Sequence, residues 1–517
     1  MRSRSMGLVV VGAMGLGLVG CSGDDGGRDD ESAGATSETA SASEATSATA
    51  TASESGSESG SESESASGSE SASASGSSSS TTSSTSESEG TTDATDGSTT
   101  NATGVITDSA TDSATDTATE SATDSATDSA TDSDTDGTTD GTTGGECMGN
   151  GGELDFSYLW VANTSQGGIS KIATDTMLEE GRYTVDANPG AASSSRTAVS
   201  LDGRFVVVAN RGTGTITKVA ADAVDCIDND NDGIIQTSQG KDDVLPFGSD
   251  ECRIWTSSVS PAPANYAGGP RGLAWEPGTF NEENCKFENP SVWVGWHTNN
   301  GLAYMGRFDG ASGEQTDTVE IKDWPSGHAP YGAAMDGFGN LWFNSVFTGD
   351  IFRIDTDNLG LQRWSGGGGL QPYGNTVDSA GNFWLAGYNG PVSYFDAENE
   401  AFVSIGGTNG RHRGIAIDSQ KRVWAATNNG GVNYGCGLVQ IDGDTKTFVK
   451  FHNLAECSTP VGVSIDPEGF IWVVDYAGWA FKINGDTLEM EKVTIADVHY
   501  TYSDMTGGGL KGVILPG

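Results

Sequence analysis

The densest group of metal-competent side chains in the sequence is Asp228-x-Asp230-x-Asp232-Gly233. Alternate carboxylates on one loop converge on a single hard cation, and the glycine permits the tight turn that brings them together. Ile234 offers a backbone carbonyl, and Gln236 a direct or water-bridged oxygen. Asp242, Asp243 or Glu251 can add a carboxylate from further along. The spacing predicts a structural Ca2+ site built from Asp228, Asp230, Asp232, Ile234, Gln236 and Asp243. The competing reading is a plain solvated acidic loop.

A second group emerges from a repeated phrase. In HAPYGAAMDGFGNLWFNSVFTGDIFRID (328–355), a Pro-Tyr-Gly opening leads to Asp336, then Leu341-Trp342-Phe343, then Ile351–Asp355. Pro372-Tyr373-Gly374 leads in the same way to Asp378 and Trp384, His412-Arg413-Gly414 to Asp418 and Trp424, and Pro460-Val461-Gly462 to Asp466 and Trp472. The middle position of the phrase holds Arg271, Tyr331, Tyr373 and Arg413 in successive copies, and Tyr502 near the C-terminus. The position after the Trp-containing strand holds Trp296 in one copy and Asp475 in another. With His412, these residues are the expected lining of one channel mouth. Cations, phenols and a carboxylate facing a funnel suit an anionic or polar aromatic ligand; the alternative is that they only cap the channel.

The elements that would position these groups are short strands separated by glycine turns, with no amphipathic helix evident. A period of roughly 40–48 residues is that of a four-stranded propeller blade. The sequence therefore predicts an all-β, seven-bladed β-propeller over 148–517, with six blades as the runner-up. Blade one, starting at Tyr158, lacks an opening strand, and the tail around Tyr502 is predicted to supply it, closing the ring and removing the exposed edge. Residues 222–268 read as an insertion in blade two, and 278–290 as one in blade three. The recurrent tryptophans read as inter-blade core.

The repeat phrase resembles the blades of the virginiamycin B (streptogramin B) lyase family and of NHL-type propellers. That resemblance implies a carbon–oxygen elimination on a cyclic depsipeptide, using a histidine in the Pro-x-Gly phrase, Mg2+ and a glutamate after the Trp strand. Here Thr197, Arg271, Tyr331, Tyr373, Arg413, Val461 and Tyr502 occupy the histidine position, and no copy carries the glutamate. Elimination needs a titratable base within reach of the proton removed. The expectation is a non-catalytic binding or interaction module, with a diverged lyase or a structural envelope protein as alternatives. The acidic loop likewise resembles an EF-hand-type or dockerin-type calcium loop, departing at Gln239, where that pattern has a bidentate glutamate.

Outside 148–517 the composition changes. Residues 1–20 carry Arg2 and Arg4, then an apolar run ending Leu18-Val19-Gly20-Cys21, which resembles a bacterial lipoprotein signal with Cys21 as the acylated residue. Residues 21–147 are rich in Ser, Thr, Ala, Asp and Glu, cannot bury enough apolar surface to offset ordering entropy, and read as a disordered tether spanning roughly 60 Å. The expected address is the cell envelope, lipid-anchored to the outer membrane, as a monomer with an unidentified small-molecule, glycan or protein ligand. A net charge of −46 argues against nucleic-acid binding. With Cys21 set aside, six of the seven cysteines remain, giving expected pairs Cys226–Cys252, Cys436–Cys457 and, by elimination, Cys147–Cys285.

Overall fold

A computed structural model describes residues 156–298, 301–428, 435–495 and 498–514. The expected signal segment, the tether, Cys21 and Cys147 lie outside them.

Five of the repeats fold as an antiparallel meander whose first turn is fixed by one carboxylate. In the copy built from Ala333–Met335, Asn340–Asn344, Ile351–Asp355 and Gly360–Trp364, Asp336 accepts the backbone N–H groups of Phe338 and Asn340 at 2.8 and 2.9 Å. It also accepts the indole Nε1–H of Trp342 at 2.8 Å. The same bond joins Asp378 to Trp384 (2.9 Å), Asp418 to Trp424 (2.9 Å) and Asp466 to Trp472 (2.8 Å). Leaving such an indole unpaired in a core costs about 1–3 kcal/mol. The six-residue Asp-to-Trp spacing therefore sets the register of the hairpin. In blade three Glu276 replaces the aspartate and meets Trp293 at 2.7 Å. The longer spacing there accommodates an extra hairpin, Thr279–Asn281 with Lys286–Glu288, at the expected insertion. The tryptophans are fully buried, and Trp342 stacks on Phe383 of the next blade at 5.5 Å, as expected of inter-blade core.

The glycine of the Pro-x-Gly phrase has a steric cause. A Cβ on Gly374 would lie 2.1 Å from the carbonyl oxygen of Arg413 in the neighbouring blade, and one on Gly414 2.6 Å from that of Val461. Only a residue without a side chain lets adjacent inner strands approach so closely. The ladder is also irregular between Pro372 and Asn375, and between His412 and Ile415. Such bulges re-aim the side chain that precedes the glycine.

Seven such sheets make a seven-bladed β-propeller: one of three strands, five of four and one of five. The three-stranded sheet (Tyr158–Asn163, Gly168–Ala173, Glu179–Thr184) is completed by the tail. Asn163 bridges His499, the carbonyl of Met505 accepts from Trp160 N–H at 2.9 Å, and Thr501 Oγ1 bonds both backbone groups of Ala162. Tyr502–Ser503 also pairs in parallel with Arg196–Thr197 of blade two, a second seam that the repeat did not foretell. The helix Gly508–Ile514 then buries Leu510 and Val513 at the far end of the apolar channel.

One boundary needs correction. Arg253–Ser258, inside the expected 222–268 insertion, is the outer strand of blade two, paired with Thr215–Ala220. The disulfides Cys226–Cys252 and Cys436–Cys457 are present, and Cys285 is disulfide-bonded.

Identical slots titrate differently. Burial raises Asp378, but hydrogen bonds from Trp384 and Asn382 and the charge of Lys446 outweigh it and hold the carboxyl below its usual value. Burial pushes Asp466 up to about 6 despite the Trp472 and Phe470 bonds, with Glu468 adding repulsion. The folded state thus holds the Asp466 proton more tightly than the unfolded chain. That contribution is present below pH 3.8 and is lost as pH rises through about 6. Asp466→Asn, which keeps an acceptor for Trp472, should be the more stable form at pH 7 relative to pH 4, by on the order of 2 kcal/mol in paired denaturant melts.

Candidate functional site at the axial mouth

The bulged inner strands deliver their side chains to one point on the axis. Tyr331 Oη lies 2.8 Å from Tyr373 Oη and 2.6 Å from Tyr500 Oη, and the hydroxyls of Tyr373 and Tyr500 are also hydrogen-bonded. Tyr502 Oη donates to Tyr373 Oη at 3.4 Å. Guanidinium groups pack around these phenols. Arg196 lies between the rings of Tyr331 and Tyr502, 4.6 and 4.1 Å from their centres. Arg211 lies over Tyr500 and Tyr266 at 4.7 and 4.8 Å. Arg413 donates to the hydroxyls of Tyr373 and Tyr502 at 3.4 Å. Burial lowers the Arg413 pKa, but the surrounding phenol oxygens outweigh this and hold its proton more firmly than usual.

These side chains are buried, so the expected open funnel is instead a plugged mouth. Arg271 directs Nη1 at the carbonyls of Tyr266, Ala267 and Gly269, stitching the entering loop. Three expected lining residues face elsewhere. Trp296 donates to the Pro261 carbonyl at 2.8 Å and stacks on Tyr304. Asp475 accepts the backbone N–H groups of Ser458, Thr459 and Ala477, capping a turn beside Cys436–Cys457. His412 is buried and donates Nε2–H to the Thr408 carbonyl at 2.5 Å. The sequence reading missed Arg196, Arg211 and Tyr500; the Tyr500-x-Tyr502 alternation was the signal available for the last.

Above the plug stands a partly exposed aromatic rim. Phe347 is 37% exposed and contacts Tyr373 and Tyr388 at 5.8 and 5.2 Å. Tyr388 stacks on Tyr373 at 5.1 Å, and Arg411 lies over Tyr388 at 5.2 Å. Tyr476 meets Tyr500 edge-on at 6.4 Å, and His328 meets Phe347 at 6.4 Å. Aromatic faces with a partly solvated cation form a surface on which a flat, polar molecule can stack.

The acidic loop is separately ordered. Ligand atoms of Asp228, Asp230 and Asp232 lie within 4.8 Å of one another. Gly233, at φ +84°, donates its N–H to Asp228 Oδ2 at 2.9 Å, and Gln236 Nε2 reaches Asp232 Oδ2 at 3.0 Å. Asp228 Oδ1 is buried and has no hydrogen-bond partner among the described residues. Ile234 is 66% exposed and donates its N–H to Asp232 Oδ1. At Asp230 the Asp232 N–H lowers the pKa, but desolvation and the charges of Asp232, Glu251 and Asp228 together raise it. Glu251 clamps the loop's two sides through the N–H groups of Asn229 and Gln236. Asp243 is not in the cluster and instead caps Gln239 N–H at 3.0 Å.

No protein-family model matches this chain, and no curated protein does. Several solved structures are similar to part of this chain. Virginiamycin B lyase from Staphylococcus aureus is 14% identical, covering 62% of this chain and 94% of its own, with a TM-score of 0.41. Hydrazine synthase of Kuenenia stuttgartiensis is 12% identical, covering 70% of this chain and 100% of its own, at 0.44. A protein of unknown function from Bacteroides caccae is 12% identical, covering 58% and 94%, at 0.37. At these identities and TM-scores the likeness says nothing of what this chain binds or does.

Burial lowers the His412 pKa to about 4, against the pull of the Thr408 carbonyl. The unfolded chain therefore binds this proton first as pH falls. The contribution is complete above 6.5 and lost on descent through about 4. Wild-type stability should drop across that window by on the order of 3 kcal/mol more than that of His412→Gln, measured by urea melts at pH 7 and pH 4.

Proposed function

We propose that this chain is a non-catalytic binding module whose ligand stacks on the aromatic rim of the axial mouth. The supporting observation is the continuous surface formed by Phe347, Tyr388 and Tyr373, with Arg411 over Tyr388. The chemistry suits a planar, anionic or polar aromatic group: its ring stacks, and its acid meets Arg411. Two titratable groups near the mouth, His412 and Asp475, are committed to backbone partners, which supports binding over lyase chemistry. In this reading acylated Cys21 holds the chain at the outer membrane, and 21–147 spaces the propeller from it.

The fluorescence of the full chain, titrated with a small aromatic carboxylate such as indole-3-acetate, should be quenched saturably, with Kd of ~1 mM or below for so small a ligand. The Phe347→Ala/Tyr388→Ala double variant should lose that saturation while keeping its melting temperature within a few degrees. Unsaturable quenching, or identical binding by the variant, would overturn the reading.

The acidic loop is proposed to hold a structural Ca2+ through Asp228, Asp230 and Asp232, with Asp228 Oδ1 as the oxygen that otherwise lacks a partner. Ile234 can turn its carbonyl to the ion, and Gln236 can present its amide oxygen. Chelation should lower Tm, added Ca2+ should restore it, and Asp230→Asn/Asp232→Asn should remove the response. Calorimetry showing no Ca2+ uptake would refute the site.

A further inference from the structure

We propose that the propeller axis holds a single halide ion against Arg196, beneath the tyrosine plug. Arg196 is 2% exposed. Its Nε donates to the Tyr331 carbonyl at 3.2 Å, while its buried Nη1 has no hydrogen-bond partner among the described residues. No carboxylate pairs with Arg196 among the described residues; its other neighbours are the faces of Tyr331, Tyr500 and Tyr502. A guanidinium cannot shed its proton in a protein, and a buried charge without a counter-charge is strongly disfavoured. Aromatic faces offset part of that cost, but they do not carry a negative charge.

The missing charge has a place to sit. Arg196 lines a cavity of about 10 Å³ on the axis, together with Tyr331, Tyr373, Asn375, Tyr502 and Ser503. That is room for one water-sized body. A carboxylate or phosphate is too large, so the anion that fits is monoatomic. Chloride is such an ion, and Gly332, Gly374 and Gly414 line the cavity beside these side chains. The ion would act as a keystone: the Tyr502–Ser503 seam pairs directly with Arg196–Thr197, so neutralising Arg196 stabilises the closure of the ring.

The test is thermal unfolding of the full chain in sodium chloride, bromide and gluconate at constant ionic strength, with the chloride NMR linewidth as a direct readout of binding. Chloride and bromide should raise Tm saturably by about 2–4 °C over gluconate, and the bound chloride should broaden the signal. Arg196→Met should abolish both effects. Asn375→Asp, which places a carboxylate on the cavity wall at the loss of the Asn375 bond to Asn344 Oδ1, should abolish the salt dependence of Tm and the broadening, and it serves if the arginine variant fails to fold. Equal Tm in all three salts with no broadening overturns the proposal and leaves a water in the cavity. Tyrosinate absorbance in gluconate at neutral pH also overturns it, because a phenolate of the plug then carries the counter-charge.

Discussion

An indole N–H buried between two blades is costly to leave unpaired, and in five blades it finds a carboxylate at the end of the preceding strand, although Trp160 Nε1 in blade one has no partner among the described residues. That single bond fixes the first turn, the register of the first two strands and the depth at which each tryptophan inserts into the next blade. Once the register is set, the Pro-x-Gly phrase necessarily falls at the start of the inner strand. The bulge and the bare glycine there let neighbouring blades touch backbone to backbone. The mouth chemistry follows from that contact, because the residue before the glycine has nowhere to point but inward.

The same constraint explains why the mouth is shut. With adjacent inner strands this close, tyrosines entering from Tyr331, Tyr373, Tyr500 and Tyr502 meet at their hydroxyls, and guanidinium groups fill the spaces around their rings. On the proposed reading, such a packed layer leaves recognition to the residues standing above it, so Phe347 and Tyr388 are better placed to meet a ligand than the deeper arginines that the repeat singled out.

Much of the architecture was legible because it is periodic. The Asp-to-Trp spacing and the glycine after the mouth residue recur, and both encode a steric or hydrogen-bonding necessity. The site was less legible because it is made where the period breaks. Arg196 reaches the axis from a copy lacking Pro-x-Gly, and Arg211 arrives from a loop. Trp296, Asp475 and His412 sit at the right sequence positions, yet each is claimed by a backbone partner that no spacing announces. The three-carboxylate loop was readable from local pattern alone, whereas the burial of Asp228 Oδ1 and the commitment of Glu251 to backbone N–H groups required coordinates.

The parallel seam between Tyr502–Ser503 and Arg196–Thr197 has a bearing on how the molecule is made. Thr501 and Ala162 are separated by 339 positions, so the first blade is translated long before its partner exists. Until then the nascent polypeptide carries an unpaired, apolar sheet margin of the kind that recruits holdase chaperones or a neighbour's strand. A chain made from its N-terminus therefore stays an open crescent and becomes a ring only when its last residues are released.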